Sequence, residues 1–345
     1  MKKTLKTLAI ATASMITTGA IAATNMENPL FIPQSGEYFS KTGIGLMYKK
    51  ADHTEANRQK QHAGDAEFPV WRATEDFGYG ISDRLFTYLS LGYTYNGDIE
   101  RKGMHRGRLG FGYRIFEDPS DFVWDIYGEG YLGGVSPMRG KYGPNGFTYS
   151  NFSNGRWGAV AGTRLGKTWD KLTASMFVEY LQTIGNHNNE IKIEHPGLLA
   201  LGFPTEISVD LKSSNETTVG LNTFYEMNNK WSFGGGFKFV EHSDNGVKSI
   251  HTPMVPLDNT TPIPALGGAT QQQARQAVIN QLLAETKDMD DGWHEYALSA
   301  IAAYQVTDAF QLAMVGEYTF DFSHPGSQNG TDVKAEMGMR FNVRF

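Results

Sequence analysis

From Val333 to Phe345 every second side chain is apolar. Val333, Ala335, Met337, Met339, Phe341, Val343 and Phe345 alternate with Lys334, Glu336, Gly338, Arg340, Asn342 and Arg344. A strand sends successive side chains to opposite faces, so this segment reads as a ribbon with one apolar face and one charged face. The pattern recurs upstream. Leu109, Phe111, Tyr113 and Ile115 oppose Arg106, Arg108, Gly110, Gly112 and Arg114, and Phe122, Trp124, Ile126 and Leu132 oppose Asp125, Tyr127, Glu129 and Tyr131. Similar runs at 38–49, 71–81, 85–95, 157–165, 172–180, 209–225, 231–239, 296–304 and 310–320 bring the number of expected strands to twelve. Two places fit badly. Glu75 shares a face with Phe77, Tyr79 and Ile81, and Ser213 and Asn215 are polar on the apolar side of their run.

The punctuation between strands is lopsided. Tight turns fall at Ser82-Asp83-Arg84, Asp118-Pro119-Ser120-Asp121, Trp169-Asp170-Lys171, Asn228-Asn229-Lys230 and Thr307-Asp308-Ala309, where Asp, Asn and Pro supply local hydrogen bonds or a preset backbone angle. Between them lie longer polar connections near 51–67, 96–103, 134–155, 185–206, 242–292 and 323–331. Aromatic residues gather on the apolar face beside the tight turns: Phe77, Tyr79, Phe122, Trp124, Tyr225, Trp231, Phe233, Tyr304, Phe310 and Phe345. A terminal strand with alternate apolar positions and a final aromatic, short turns opposite long loops, and a ring girdle together resemble the bacterial outer-membrane β-barrel proteins. The resemblance covers residues 37–345. It implies a transmembrane antiparallel up-and-down barrel with lipid outside, and an assembly machinery that reads the strand ending in Phe345. An even strand number returns both ends to one side.

The N-terminus fits such a destination. Lys2, Lys3 and Lys6 precede a modest apolar run from Leu8 to Ile21, and Ala20-Ile21-Ala22 places small residues before a cut at Ala23, so residues 1–22 read as a secretory signal peptide. That run is too short to span a bilayer, and no later stretch has about twenty apolar residues, so a membrane location requires a closed barrel. Residues 23–36, with Pro29 and Pro33, carry no period and read as a short periplasmic lead-in. A net charge of −6 argues against a nucleic-acid partner, and the absence of cysteine removes disulfides and thiolate metal sites.

Candidate chemistry lies on the polar face. Arg106, Arg108 and Arg114 form a basic row, with Asp125 and Glu129 on the next strand; hairpin counting sets Arg114 near Asp125 and Arg108 near Glu129. Arg156, Arg164, Glu179, Asp210, Glu317, Asp321, Lys334, Glu336, Arg340 and Arg344 continue it. Two readings stand open. One is a lumen whose charged walls orient small polar solutes in a channel or transporter. The other is a closed barrel whose charges satisfy each other, acting through its outer loops. The longest loop, 242–292, holds four prolines between Thr252 and Pro264 and then a helix expected from a Thr270 cap through Glu285, with Ala274, Ala277, Val278 and Leu282 as its apolar stripe. It could gate the mouth or sit on the rim.

No enzyme motif is complete. Asn151-Phe152-Ser153-Asn154-Gly155 is similar to the His-x-Ser-Asn-Gly motif of outer-membrane phospholipase A, but Asn151 stands where the general base belongs. Asp290, Asp291 and His294 resemble the acid–histidine pairing of omptin proteases only loosely. His187, His195, His242, His251 and His294 fall in or beside expected loops with no metal-ligand spacing, so neither a metal nor a cofactor is expected.

Overall fold

In the computed structural model the alternating runs close on themselves. The structure describes residues 25–51, 70–96, 101–117, 122–132, 137–142, 147–151, 157–184, 189–193, 206–243, 247–251, 260–261, 268–287, 293–322 and 332–345. In chain order the strands are β1 (Tyr38–Ala51), β2 (Val70–Gly80), β3 (Leu85–Asn96), β4 (Arg101–Glu117), β5 (Val123–Leu132), β6 (Pro137–Tyr142), β7 (Phe147–Asn151), β8 (Trp157–Trp169), β9 (Leu172–Thr183), β10 (Asn189–Ile193), β11 (Glu206–Leu211), β12 (Asn215–Glu226), β13 (Trp231–His242), β14 (Val247–His251), β15 (Trp293–Thr307), β16 (Phe310–Phe322) and β17 (Asp332–Arg344). One helix is described, α1 (Gln271–Lys287).

Twelve strands, β1–β5, β8, β9, β12, β13 and β15–β17, form a closed barrel in which each pairs with its sequential barrel neighbours and β1 closes on β17. All pairings are antiparallel, with Ile44 opposite both Met339 and Ala73 at the seam. The expected strand number and up-and-down order hold.

The two faces invert what a water-soluble fold shows. Phe111 is 56% exposed and Leu109 57%, whereas Asp125, Gln311 and Asn342 are 0% exposed. Apolar residues outside and polar ones within are what lipid selects. No described helix is long and apolar enough to cross a membrane.

The girdle forms at the short-turn end. Tyr38 packs on Tyr79 at 4.4 Å and on Phe345 at 5.9 Å, Trp231 on Tyr304 at 4.8 Å, and the Lys167 ammonium lies 5.2 Å from the Phe122 ring. The turns there use the expected chemistry: Asp170 adopts φ 51°, and the Asn228 side chain accepts from the amides of Lys230 and Trp231. A register shift between Arg114 and Phe116 turns Phe116 outward into the girdle.

Neither a bulge nor a slipped register removes Glu75 from the outer face. It pairs opposite Thr42 and Leu91, both outward, and accepts from the hydroxyls of Ser40 and Thr42 at 2.6 Å each. Arginine or lysine on the lipid face costs about 2–4 kcal/mol at mid-membrane and an acid less. A hydrogen bond to a charged group contributes about 1.5–3 kcal/mol. Two of them offset that cost with the strand left in place.

The long connections are where expectation and structure part. The expected strand over 209–225 is two strands: β11 belongs elsewhere, the chain leaves the ladder at 212–214, and the barrel resumes with β12 at Asn215. The polar Ser213 and Asn215 mark that break. β11 joins β14, β10, β7 and β6 in a second, five-stranded antiparallel sheet in the order β14-β11-β10-β7-β6, built wholly from the long connections. Asp210, expected on the lumen wall, therefore lies in this sheet. Helix α1 packs against β14 and starts as expected, with Thr270 Oγ1 accepting from the Gln273 amide and Gln273 Oε1 from the Thr270 amide. Of the expected stripe, Ala277 is exposed, and the side chains of Val278 and Leu282 lie outside the described residues; Arg275 is the buried one.

Candidate functional site

Of the fifteen charges singled out on the polar face, eleven have described side chains, while those of Asp321 and Lys334 lie outside the described residues; Asp210 is in the five-stranded sheet and the other ten are on barrel strands. At the short-turn end Asp125, fully buried, takes Arg114 Nε at 2.7 Å and Arg164 Nη2 at 2.5 Å. These sit on adjacent strands, and Asp125 pairs directly with both Arg114 and Arg164. Four residues beyond Asp125 along β5, Glu129 meets Arg108 at 3.4 Å, and Arg108 meets Glu179 at 3.9 Å. The Tyr88 hydroxyl donates to Glu129, and that of Tyr127 to Glu179 at 2.8 Å. Across the bore Glu317 pairs with Lys238 at 3.0 Å and Arg340 with Glu27 at 3.0 Å. Arg106 pairs by its backbone with Gly92, but its side chain, like all of Arg156, lies outside the described residues.

Glycines let aromatic rings lie along this wall instead of crossing it. A Cβ at Gly162 would run into the Tyr127 ring, and one at Gly112 into the Phe86 ring. Each glycine faces a ring on the neighbouring strand, so the ring folds flat and the bore stays wide.

The bore is nonetheless crossed at its short-turn end. Residues 25–36, aperiodic in sequence, run through it and touch the wall strand by strand. Asn25 donates to Ser232 of β13 and accepts from Gln311 of β16; Asn28 donates to Thr173 of β9. The Leu30 carbonyl accepts from Arg114 of β4 at 2.7 Å, and the Met26 carbonyl from Lys41 of β1 at 2.5 Å. Phe31 packs edge-on against Phe39 at 5.4 Å, and Met26 is 1% exposed. Beyond this segment lies a cavity of about 500 Å³ inside the barrel. Phe39, Phe86, Tyr88, Tyr127, Phe177 and Phe224 give it ring faces; Lys41, Asp76, Arg108, Glu129, Arg164, Glu179 and Arg340 give it charge. That volume lies within the range of small-molecule sites.

Glu27 anchors the crossing segment. Its Oε2 takes Arg340 and its Oε1 takes the Asn342 amide at 2.8 Å. Burial alone would raise this carboxyl's pKa; the Lys41 and Arg340 cations and the Asn342 bond outweigh it and hold the group below the ordinary carboxylate range. Glu27 and Lys41 were not among the candidate charges, and the uncharged Asn342 entered only as a polar-face position of the last strand. Lys41 shared a face with Phe39 in the β1 alternation and was available to sequence reasoning; Glu27 lies in a segment without period and gave no signal.

Chemistry elsewhere is thin. In the five-stranded sheet, Ser249 and Asp210 both meet the same His251 nitrogen, Nε2, at 3.1 and 2.7 Å. A proton relay needs the carboxylate on the other ring nitrogen, so this is not a nucleophile–base–acid array. Asp290 and Asp291 lie outside the described residues, as do Phe152–Gly155. No metal-competent cluster occurs among the described residues.

No family model matches the chain, and no curated protein matches its sequence. Solved structures match its fold. An outer membrane channel from Pseudomonas putida F1 is 11% identical, aligns over 96% of this chain and 100% of its own, and gives a TM-score of 0.52. The NanC porin is 8% identical over 87% of this chain and 98% of its own, at 0.43. The Pseudomonas putida toluene transporter TodX is 9% identical over 96% of this chain and 95% of its own, at 0.41. Identity this low speaks to fold alone, and with a TM-score above 0.5 the first of these shares the closed β-barrel of this chain.

Proposed function

We propose that this chain, a β-barrel of the bacterial outer-membrane type, is a gated channel for small polar and weakly amphipathic solutes, closed on its periplasmic side by residues 25–36. The observation that carries the reading is the segment crossing the bore beneath a cavity of about 500 Å³. A barrel with a purely structural role has no need of a ring-lined chamber above a seal. The lumen charges are paired across strands, which suits solutes that exchange water for compensated polar walls. In this reading residues 1–22 direct export and are removed, the strand ending at Phe345 is read by the assembly machinery, and the short turns face the periplasm. The outer membrane channel from Pseudomonas putida F1, which shares the fold, agrees with it.

Conductance tests it. A chain lacking residues 25–33, reconstituted in planar bilayers, is expected to conduct at least several-fold more than the full chain; equal conductance would count against the gate. In the opened chain Arg108→Glu, which would leave three carboxylates where Arg108 now meets Glu129 and Glu179, is expected to shift the reversal potential toward cations.

The five-stranded sheet supports a second reading, in which the barrel presents this sheet and α1 to a partner outside the cell. Under that reading, removing 252–283 abolishes partner binding and leaves conductance unchanged.

A further inference from the structure

We propose that Lys41, Arg340 and Asn342 form a carboxylate-binding site on the lumen wall, and that Glu27 occupies it as a built-in stand-in for a solute carboxylate. The inference rests on the gating role of residues 25–36.

The geometry is that of a made site. Both oxygens of Glu27 are taken by the wall, Oε2 by Arg340 Nη1 at 3.0 Å and Oε1 by Asn342 Nδ2 at 2.8 Å. The Glu27 side chain is 2% exposed and Asn342 is 0% exposed. Asn342 is itself aimed: its amide nitrogen also donates to Gln311 Oε1 at 3.0 Å. Lys41 supplies the second positive charge and lines the cavity together with Arg340 and Glu27. The site is therefore continuous with the space a solute would enter.

What separates this cluster from the others is the origin of its acid. Arg72–Glu336, Arg108–Glu129, Arg114–Asp125, Arg164–Asp125 and Lys238–Glu317 each join two barrel strands. Arg340 takes its carboxylate from the crossing segment. When that segment leaves, the other pairs persist, whereas Arg340 and Lys41 lose Glu27 as a counter-charge, a penalty moderated by the 36% exposure of Arg340 and by Asp76 opposite Lys41 on β2. A solute carboxylate that moves in as Glu27 moves out keeps the cations paired and removes the penalty. A neutral solute of the same shape does not. The site thus favours small organic carboxylates, and the Phe39 ring, which stays with the wall, favours those with an apolar or aromatic body.

The test compares phenylacetate with its neutral counterpart phenylacetamide on the purified full chain, by calorimetry in detergent, with heat-modifiable migration as the folding check. Because Glu27 competes for the site, Glu27→Gln is expected to tighten phenylacetate about tenfold or more while changing phenylacetamide far less, since a competitor lowers apparent affinity by the fraction of time it occupies the site. Arg340→Gln is expected to abolish the preference. The unmodified chain gives an independent arm in bilayers, where phenylacetate and not phenylacetamide raises open probability. Equal tightening of both ligands by Glu27→Gln, with increased conductance, would overturn the carboxylate site and leave the gate standing. No change in binding or in conductance on Glu27→Gln would overturn both.

Discussion

Two ion clusters sit at the same end of the lumen and are built differently. Asp125 lies between Arg114 and Arg164 on three adjacent strands, and all three charges belong to the wall. Glu27 lies against Arg340 and Asn342, with Lys41 on the adjoining Met26 carbonyl and the acid on a segment that merely passes through. The first cluster cannot come apart without unpicking the barrel. The second comes apart whenever residues 25–36 leave. Equal chemistry thus serves as a staple in one place and a latch in the other, and the difference lies in which backbone carries the carboxylate.

The largest expected effect breaks the staple. Asp125→Ala strands two guanidinium groups in a buried setting, and breaking such a pair costs about 3–5 kcal/mol. Urea titration of the folded barrel, followed by heat-modifiable migration, should show a loss of that order. Glu27→Ala sharpens the contrast: it removes a charge-assisted contact of about 1.5–3 kcal/mol from docking of the segment, so conductance rises while the unfolding midpoint of the barrel moves little.

Acid should open the latch. The docked Glu27 carboxyl sits below the ordinary value of 4.5, so its contribution is complete above 4.5 and is lost as pH falls through the lowered docked value. Conductance measured against pH should climb at the acid end, and Glu27→Gln should remove that climb. The smallest effect concerns a third carboxylate, Glu75, compensated on the lipid face by hydroxyls rather than charges. Ser40→Ala or Thr42→Val should each cost about 1.5 kcal/mol in the same urea titration, the low end for a bond to a charged group. Glu75→Leu should cost nothing measurable.

The barrel was legible in the sequence because lipid imposes a period of two on every crossing. Phe111 against Arg108, and Phe341 against Arg340, declare their faces without any partner in view. The Arg114–Asp125 contact was legible too, since a tight turn fixes the register of a hairpin. The same rule failed at Val209–Tyr225. There alternation continued through Ser213, but β11 pairs with β10 and β14, and pairing partners outside a hairpin are not written in the period. The crossing segment was hidden for a related reason. Asn25, Glu27 and Asn28 bond to strands 145 to 315 residues away in sequence, and an aperiodic stretch rich in Asn and Pro looks the same whether it hangs free or fills a lumen. Glu75 was flagged correctly as an outward acid; what the sequence hid was that Ser40 and Thr42, across a strand pair, would meet it.

The central claim is that residues 25–36 seal one end of a chamber open to the other. The chain has no cysteine, so Ser299→Cys, on the cavity wall, places a single thiol above the seal. Labelled with a membrane-impermeant thiol reagent in oriented proteoliposomes, it should react from the loop side and resist from the short-turn side. Deleting residues 25–33 should make both sides reactive. Reaction from the short-turn side in the intact chain, at the rate seen after the deletion, would contradict the account.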